Sequence, residues 1–575
     1  MTEASGGLRN AAERHPWEGS YPAGVDWAEP IPAKPLYSIF DEAAAQFAGR
    51  PCVDFLGRRY TYGEISNLVN RAAKGFQRLG VVRGTRVGLC LPNSPYYLVC
   101  YFAVLKLGGI VVNFNPLYVE RELATQIIDS QTEIMVTLDL AALYDKVAKM
   151  FDQAGLGQIV VCRMADILPQ PKRLLFSLLK RGELAAIPAD PRNVRFADLV
   201  ENDGRYQPVD VDPGEVAVLQ YTGGTTGVPK GAMLTHANLL ANTVQVFRWF
   251  PGLQRGEERL LGVLPFFHVF AMTVVMNLGI AAGAELILLP RFELEMLLKT
   301  IHKRRPTLFP GVPTIYTAIN NAPTLKKYDL SSIKFCISGG APLPVEVKHE
   351  FEKLTGCHLV EGYGLTEASP VTNCNPIGGV DKAGSIGIPV PGTIIEIRSP
   401  DDPGKLMPTG EKGEVCVIGP QVMAGYWKRP DDTAKTIVDG RLRTGDIGFM
   451  DGDGYVFLVD RIKDVILCGG YNVYPRNVEE AIYLHPAVVE VIVIGVADAY
   501  RGQAPKAFVR LRDDATCTEK ELKDFLADKL SKIELPREIE FRAELPKTMI
   551  GKLSKKELVA EEQAKAAGAA DRADG

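Results

Sequence analysis

The chain has 575 residues. Domains above roughly 250–300 residues tend to split, because a single hydrophobic core stops growing at about that size. We therefore expect at least two domains. Its net charge of -4, and aromatic residues that do not alternate with Lys/Arg runs, argue against a nucleic-acid-binding protein. Ten scattered cysteines without a C-x-x-C pair argue against a zinc site or a disulfide framework. With neither a secretory signal nor an apolar run of about 20 residues, the sequence predicts a cytoplasmic protein.

Helical and strand-like patterns alternate through the first part of the chain. Residues 1–35 read as a polar, proline-containing arm, and Ser38–Phe47 and Tyr62–Leu79 then have the apolar spacing of helices. Short apolar runs follow as candidate strands, namely Val87–Leu91, Ile110–Phe114, Ile134–Leu138 and Ile159–Val161. This alternation predicts an α/β fold with layered, largely parallel sheets.

The segment 163–212 is polar, basic and rich in proline, and it interrupts this alternation. Within it, Pro171–Arg181 has the pattern of a short basic amphipathic helix. One interpretation is peripheral contact with an anionic membrane. The other is a surface helix that covers an edge of the core with its apolar face.

A second, smaller unit begins near residue 460. Its pattern reads helix, strand, strand, helix, strand: Val478–Leu484, Val488–Gly495, Ala507–Leu511, Glu519–Leu530 and Glu538–Phe541. The sequence thus predicts an arm (1–35), a large domain of several subdomains (36–459) and a small α+β domain (460–558). The Ala-, Glu- and Lys-rich residues 559–575 are predicted to be a disordered tail.

The segment with the most informative chemistry is Thr222-Gly-Gly-Thr-Thr-Gly-Val-Pro-Lys-Gly231, which follows the strand-like run Glu215–Tyr221. Glycine-rich backbone can direct N–H groups at phosphate oxygens, while the hydroxyls and Lys230 add donors and charge. It is not a P-loop of the G-x-x-x-x-G-K-[ST] type, because Lys230 follows a proline and precedes a glycine. Taken alone, the segment could also be a structural glycine loop.

This segment resembles the phosphate loop of the adenylate-forming superfamily, which includes acyl-CoA synthetases, peptide-synthetase adenylation domains and luciferases. The resemblance runs from about His15 to about Leu558 and is nearest to bacterial long-chain fatty acid–CoA ligases. Further segments similar to the family's motifs occur in the family's order: Leu264–His268, Ser338–Pro342, Gly362–Glu367, Gly425–Trp427, Arg443–Asp446, Asp460–Asp464, Gly469–Pro475 and Pro546–Lys552.

The resemblance implies a site for ATP, Mg²⁺ and coenzyme A. It implies that the phosphate loop holds the β- and γ-phosphates, Thr366 the α-phosphate and Glu367 the Mg²⁺, and that Tyr363 stacks on adenine. Asp446 would bind the ribose hydroxyls, with Arg461 beside it. The implied nucleotide- and coenzyme-binding residues are Thr222, Gly223, Gly224, Thr225, Thr226, Gly227, Lys230, Gly339, Gly340, Ala341, Gly362, Tyr363, Asp446, Arg461, Lys463, Gly469, Gly470 and Tyr471.

The resemblance also implies catalytic roles for Lys552 and His268, together with Thr366 and Glu367. Lys552 would bridge the carboxylate and the α-phosphate, and His268 would lie beside the acyl carboxylate. The small domain would be mobile, rotating about Asp460 so that Gly469–Pro475 helps to form the coenzyme A channel. Read without the resemblance, Lys552 is a surface lysine in a basic stretch, His268 a buried structural histidine and Asp446 a turn residue.

The predicted function is ATP-dependent activation of a medium- or long-chain fatty acid through an acyl-adenylate, followed by transfer to coenzyme A. Met272, which the resemblance places near the acyl tunnel, leaves the chain length open. A dicarboxylate- or aryl-acid–CoA ligase, an acyl-AMP ligase that loads a carrier protein, and a non-catalytic acyl-chain sensor are the alternatives. No nucleic-acid partner is expected, and the oligomeric state is open, with a homodimer as one option.

Overall fold

The structure is a computed structural model that describes residues 14–222, 229–468, 471–498, 501–513, 515–548 and 552–573, with side chains described as far as residue 565. Gly223, Gly224, Thr225, Thr226 and Gly227 of the predicted phosphate loop, and Gly469 and Gly470, lie outside the described residues. No helix among the described residues is both long enough and apolar enough to cross a lipid bilayer.

The part of the chain up to residue 248 alternates strands and helices as the sequence predicts. Its strands are β1 (Pro51–Phe55), β2 (Arg58–Thr61), β3 (Arg86–Cys90), β4 (Ile110–Asn113), β5 (Ile134–Leu138), β6 (Gln158–Cys162), β7 (Asn193–Arg195), β8 (Val216–Thr222) and β9 (Lys230–Thr235). Its helices are α1 (Ser38–Gln46), α2 (Tyr62–Arg78), α3 (Pro95–Leu105), α4 (Glu120–Ser130), α5 (Ala141–Ala148), α6 (Met150–Gln153), α7 (Lys172–Leu179), α8 (Phe196–Leu199) and α9 (His236–Arg248).

A seven-stranded sheet with the order β7-β6-β5-β3-β4-β8-β9 organises this part of the chain. Its neighbouring strands run parallel except for the β8–β9 hairpin. Every residue of α3 is buried, because its sequence is apolar all round and it lies inside the core. Sheets buried on both faces need such continuous apolar runs, which is why the strands could be recognised from the sequence.

The remainder of the large domain adds three smaller sheets. Its strands are β10 (Arg259–Gly262), β11 (Glu285–Leu288), β12 (Phe335–Ser338), β13 (His358–Gly364), β14 (Val371–Cys374), β15 (Ile388–Pro389), β16 (Ile394–Arg398), β17 (Gly413–Ile418), β18 (Ile437–Val438), β19 (Arg441–Met450) and β20 (Val456–Arg461). Its helices are α10 (Val269–Ala271), a π-helical segment (Met272–Asn277), α11 (Leu278–Ala281), α12 (Leu294–Arg304), α13 (Pro313–Asn320), α14 (Val345–Thr355) and α15 (Pro430–Thr436).

These strands form sheets with the orders β10-β11-β1-β2, β12-β13-β14-β15 and β16-β17-β19-β18, the last extended by β20 on β19. Leu308 links the first two of these sheets, since it pairs with Leu260 on one side and Phe335 on the other. One large apolar cluster extends from the N-terminal helices to β20 and joins these layers into a single body.

The small domain has the predicted order of elements and a core of its own. It contains β21 (Ile466–Cys468), β22 (Tyr471–Val473), α16 (Pro475–Tyr483), β23 (Val488–Asp498), β24 (Gly502–Leu511), α17 (Glu519–Leu526), β25 (Glu538–Phe541) and α18 (Lys555–Ala573). The sheet order is β22-β21-β24-β23, with β25 parallel to β24. The predicted α/β class, with a large layered domain and a small α+β domain, is therefore confirmed.

Two local expectations are corrected by the structure. The predicted disordered tail at 559–575 is instead helical as far as Ala573, because it continues α18, whose Leu558 and Val559 pack in a small apolar cluster and whose Glu562 pairs with Lys506 at 3.1 Å. In addition, α7 has no buried residue, so it does not cover the core with its leucines as one of the two interpretations supposed.

The arm is attached to the body rather than free. Among its described residues, Trp17 is buried, and the indole of Trp27 donates a hydrogen bond of 3.0 Å to the carbonyl of Thr393.

Candidate active site

The predicted nucleotide-binding residues meet where two parallel strands end. β12 and β13 are hydrogen-bonded neighbours that run in the same direction, so their carboxyl ends lie at one edge. Gly339 and Gly340 follow β12, and Gly362 and Tyr363 lie near the end of β13. In α/β sheets the carboxyl edge is the usual place for ligands. The structure thus brings together motifs that are separate in the sequence.

Two positions at this edge, Gly339 and Gly340, require glycine because neighbouring side chains approach the backbone closely. Gly340 has φ = +85°, a left-handed conformation that L side chains rarely adopt. A Cβ atom at Gly340 would lie 2.8 Å from Nζ of Lys552, and a Cβ atom at Gly339 would lie 3.1 Å from the Phe270 ring. A side chain at Gly340 would therefore exclude the Lys552 side chain from its observed position.

Asp446 is buried and contacts polar side chains from two other strands. Its carboxylate accepts a hydrogen bond from the hydroxyl of Tyr363 on β13 and pairs with Nε of Arg461 at 2.9 Å. Asp446 on β19 and Arg461 on β20 are directly opposite each other in the antiparallel register. Burial, followed by the nearby Asp446 charge, raises the pKa of Tyr363, so its hydroxyl stays protonated. The cluster presents an oriented carboxylate, which is a suitable acceptor for hydroxyl groups.

Glu367 begins a second cluster just beyond β13. It follows Thr366 in a single 3₁₀ turn, Thr366–Ala368. The Tyr426 hydroxyl donates to Oε1 of Glu367 at 2.6 Å, and the Met423 N–H donates to the Glu367 carbonyl at 2.8 Å. The turn and the carboxylate are therefore both held from the segment around Tyr426.

That segment also contacts the hairpin that carries the predicted phosphate loop. The backbone N–H of Trp427 donates to the Gly231 carbonyl at 2.8 Å, next to the first residue of β9. Lys230 forms an ion pair of 2.8 Å with Asp432 and lies 5.2 Å from the centroid of the Tyr426 ring. Tyr426 therefore links the lysine of the phosphate loop to the carboxylate of Glu367.

Lys552 reaches this edge from the small domain. Two hydrogen bonds join it to Thr548, from the Thr548 N–H to the Lys552 carbonyl at 2.6 Å and from the Lys552 N–H to the Thr548 hydroxyl at 3.1 Å. Burial, and then the positive charge of Arg461, lower the pKa of Lys552 to about 8. A lysine whose pKa is lowered in this way occupies a desolvated position beside another cation, as is common in functional sites.

His268 lies within electrostatic range of Lys552. Burial and then the charge of Lys552 lower the pKa of His268 to about 3, so the imidazole is neutral at physiological pH. Its Nδ1 accepts the backbone N–H of Phe270 at 3.3 Å, which leaves Nε2 as the protonated nitrogen. His268 is therefore a neutral hydrogen-bond donor and not a cation.

The connection between the two domains is held by Asp460 at the end of β20. Its carboxylate accepts the backbone N–H of Arg461 at 2.7 Å and that of Arg476, in the first turn of α16, at 2.9 Å. Burial raises the pKa of Asp460, and the charge of Lys555 opposes this increase. Asp460 thus fixes the direction in which the small domain leaves the large one.

A second interaction between the domains is electrostatic and involves a buried carboxyl group. Glu361 on β13 accepts the N–H of Leu343 at 3.3 Å, and burial raises its pKa to about 7, with the charge of Arg476 acting in the opposite direction. Because Arg476 belongs to the small domain, this arrangement depends on the position of that domain.

The structure does not gather every predicted residue at this edge. Thr222 ends β8 and pairs with Lys230 across the hairpin. Ala341 is half-buried and Lys463 is exposed; partial desolvation, and then the charge of Arg461, lower the pKa of Lys463. Tyr471 is exposed on β22.

Two contributors were missed from the sequence. Tyr426 and Asp432 contact Glu367 and Lys230, respectively, but no role was assigned to either. The Gly425–Trp427 motif was the available signal for Tyr426, although the motif alone does not show which group its hydroxyl contacts. Asp432 had no signal, since a carboxylate near a helix start is ordinary in sequence.

The Glu367 carboxylate fits a metal ion that binds together with a substrate. Mg²⁺ usually binds one or two protein carboxylates together with waters and substrate phosphates. The described residues include no group of three or more His, Cys, Asp or Glu side chains placed to hold a metal. Glu367, a hard oxygen donor near the phosphate-loop hairpin, fits Mg²⁺ held jointly with nucleotide phosphates.

Comparisons with known proteins agree with this architecture. Residues 40–427 match the family described as AMP-binding enzyme, and residues 477–552 match the AMP-binding enzyme C-terminal domain. The chain is 46% identical over 551 residues to a long-chain-fatty-acid–CoA ligase of Bacillus subtilis, covering 95% of this chain and 98% of that one. It is 39% identical over 552 residues to the protein of the same name from an O6:H1 strain of Escherichia coli, covering 94% and 97%.

Solved structures extend the comparison to the fold. The crystal structure of the anthranilate CoA ligase AuaEII in complex with anthranoyl-AMP superposes with a TM-score of 0.82 at 26% identity. The superposition covers 94% of this chain and the whole of that one.

Proposed function

Because the chain belongs to the AMP-binding enzyme family, we propose that its acid substrate is a long-chain fatty acid. The enzyme activates a carboxylic acid with ATP through an acyl-adenylate and transfers the acyl group to coenzyme A. The long-chain preference is supported by the relatives from Bacillus and Escherichia, both named long-chain-fatty-acid–CoA ligases, which align over nearly the whole chain.

The observation that carries the proposed mechanism is the approach of Lys552 to Gly340 and His268. Joining a carboxylate to the α-phosphorus brings two anions together, and the charge that develops must be stabilised. An ammonium group that comes from a second domain can supply this charge when that domain is closed. In this proposal Lys552 donates to both the carboxylate and the α-phosphate, while the neutral His268 donates to the acid.

The remaining roles follow the geometry of the two clusters. We assign Tyr363 to adenine, the Asp446 carboxylate to the ribose hydroxyls, and Arg461 to holding Asp446 in position. Thr366 would donate to the α-phosphate, and Lys230, released from Asp432, would donate to the terminal phosphates. Glu367 would hold Mg²⁺, which supplies charge neutralisation when bound, and Tyr426 would orient the Glu367 carboxylate.

Domain movement would separate the two half-reactions. With Lys552 at the site, Tyr471 of the segment Gly469–Pro475 is exposed. Rotation about Asp460 would withdraw Lys552, move Arg476 away from Glu361 and bring that segment to the site for coenzyme A. A domain that moves between two positions can make two half-reactions occur in a fixed order.

The acid would extend towards the π-helical segment that begins at Met272. This residue is fully buried, and its sulfur lies 3.3 Å from the Asn113 side-chain amide. Segments of π-helix occur frequently at functional sites. Met272 is flexible and apolar, so it can move aside for an alkyl chain.

The substrate proposal is tested by pyrophosphate release, with and without coenzyme A, over straight-chain acids of increasing length plus dicarboxylic and aromatic acids. We expect coenzyme A-dependent turnover that is greatest for long chains. A maximum at dicarboxylic or aromatic acids would refute the substrate assignment but leave the mechanism intact. Pyrophosphate release without thioester formation would instead indicate an acyl-AMP ligase.

The pKa of Lys552 predicts a pH dependence for the first half-reaction. The ammonium form is needed, and it is lost as the pH rises through about 8. We expect kcat/KM for acid-dependent pyrophosphate release to fall above that pH by about tenfold per unit. His268 is already neutral and should add no titration between neutral and alkaline pH.

The control is Lys552→Arg, because arginine keeps its charge throughout this range. This variant should be slower than the wild type but should lack the alkaline decline. The same decline in both proteins would assign the titration to another group.

We also include peripheral contact with a membrane in the proposal. Long-chain acids partition into lipid, so an enzyme that uses them benefits from access to a lipid surface. Support comes from the exposed apolar side of α7 in a basic segment.

A further inference from the structure

The helix α7 turns its leucines away from the protein. Leu174, Leu175, Leu178 and Leu179 are 57–76% exposed. Phe176, on the other side of the helix, packs against the main core. Large apolar side chains usually face inward, and an exposed group of them commonly marks a binding surface. Since Leu178 lies four residues after Leu174, and Leu179 four after Leu175, these side chains form one continuous apolar stripe.

Basic side chains flank this stripe, on α7, at its ends and beside the neighbouring β1–β2 turn. We define the basic rim as Arg58, Lys172, Arg173, Lys180, Arg181 and Arg304. Lys172 donates to the Leu56 carbonyl at 2.9 Å, next to the β1–β2 turn. Arg304 is adjacent, because a Cβ atom at Gly57 in that turn would lie 3.1 Å from its guanidinium and 3.7 Å from Pro169.

Acidic groups neutralise only part of the basic rim. Asp166 pairs with Arg173 at 2.8 Å, Asp54 pairs with Arg304 at 3.0 Å, and Glu183 pairs with Lys180. With three acidic groups against six basic ones, the surface keeps a positive charge although the whole chain has a net charge of -4. This local excess of positive charge contrasts with the negative net charge that the composition gives for the whole chain.

We propose that α7 and the basic rim form a docking surface for the anionic face of a lipid bilayer. The leucines would enter the boundary between headgroups and acyl chains, and the rim would contact lipid phosphates. The inference deepens the proposed membrane contact and rests on it. A second copy of the chain fits less well, because a symmetric contact would bring two positive rims together.

The test is co-sedimentation of the full chain with vesicles of phosphatidylcholine alone or of phosphatidylcholine mixed with phosphatidylglycerol. Wild-type protein should bind the mixed vesicles, and binding should weaken as salt screens the charges. Leu178→Gln with Leu179→Gln should lower this binding by about tenfold or more. The matched control is Leu117→Gln with Leu406→Gln, which changes two similarly exposed leucines elsewhere and should leave binding unchanged.

Pyrophosphate release with a short, water-soluble acid serves as the folding control. Both double variants should retain it, which separates failure of the docking surface from failure of the ligase assignment. Unchanged sedimentation of the Leu178/Leu179 variant, or equal binding to both kinds of vesicle, would overturn the proposal. Loss of self-association in that variant, without vesicle binding by the wild type, would assign the stripe to a second copy of the chain.

Discussion

Replacing Lys552 by alanine is expected to slow acid-dependent pyrophosphate release by about 100- to 1,000-fold. The side chain reaches across Gly340 from the small domain and lies near His268. Without its ammonium group, the charge that forms between carboxylate and α-phosphate loses a pre-positioned donor. The measurement is the single-turnover rate of pyrophosphate release with saturating ATP and acid.

The second half-reaction provides the contrast for this variant. Thioester formation from supplied acyl-adenylate should remain near the wild-type rate, since Lys552 would be withdrawn during that step. Lys556→Ala, which removes an exposed lysine from the same basic stretch, should change neither rate. Equal losses of both half-reactions in Lys552→Ala would show that the residue supports folding or domain position rather than adenylation.

The large-scale fold could be predicted from the sequence because its strands are buried on both faces. The apolar runs at β3, β4, β5 and β6 are continuous and are separated by helical spacing, which few other arrangements produce. The prediction of a disordered tail is wrong because the Ala-, Glu- and Lys-rich composition that indicates disorder also favours helix.

The candidate site was predictable only as a set of separate motifs. The phosphate-loop pattern and the glycines after β12 indicate close backbone approach wherever they occur. By contrast, the Tyr363–Asp446 and Tyr426–Glu367 hydrogen bonds join residues that are far apart in the sequence. Such pairs depend on how whole sheets pack, which local patterns do not encode.

The outward orientation of α7 could not be derived from amphipathicity. Helical spacing shows that leucines share a face, but not whether that face meets the core or the solvent. Phe176 and Arg173 determine the orientation of α7 through their contacts with the body, and these contacts are visible only in three dimensions.

Replacing Glu367 by glutamine is expected to raise the Mg²⁺ concentration needed for half-maximal pyrophosphate release by about 100-fold or more. This shift is larger than the one usually caused by altering a residue that only orients a metal ligand. Glutamine keeps the shape and can still accept the hydrogen bond from Tyr426, but it lacks the negative charge that a hard cation requires. The measurement is a Mg²⁺ titration at fixed ATP, with ATP affinity recorded separately.

Tyr426→Phe is the matched comparison, because it removes the hydroxyl that holds the Glu367 carboxylate and leaves the carboxylate in place. Because this variant loses only an orienting contact, it should raise the Mg²⁺ concentration for half-maximal release by about tenfold. An unchanged titration in Glu367→Gln would exclude this residue as the metal ligand. A larger shift in Tyr426→Phe than in Glu367→Gln would mean that Tyr426 acts on the nucleotide directly, since a purely orienting residue cannot contribute more than the ligand it orients.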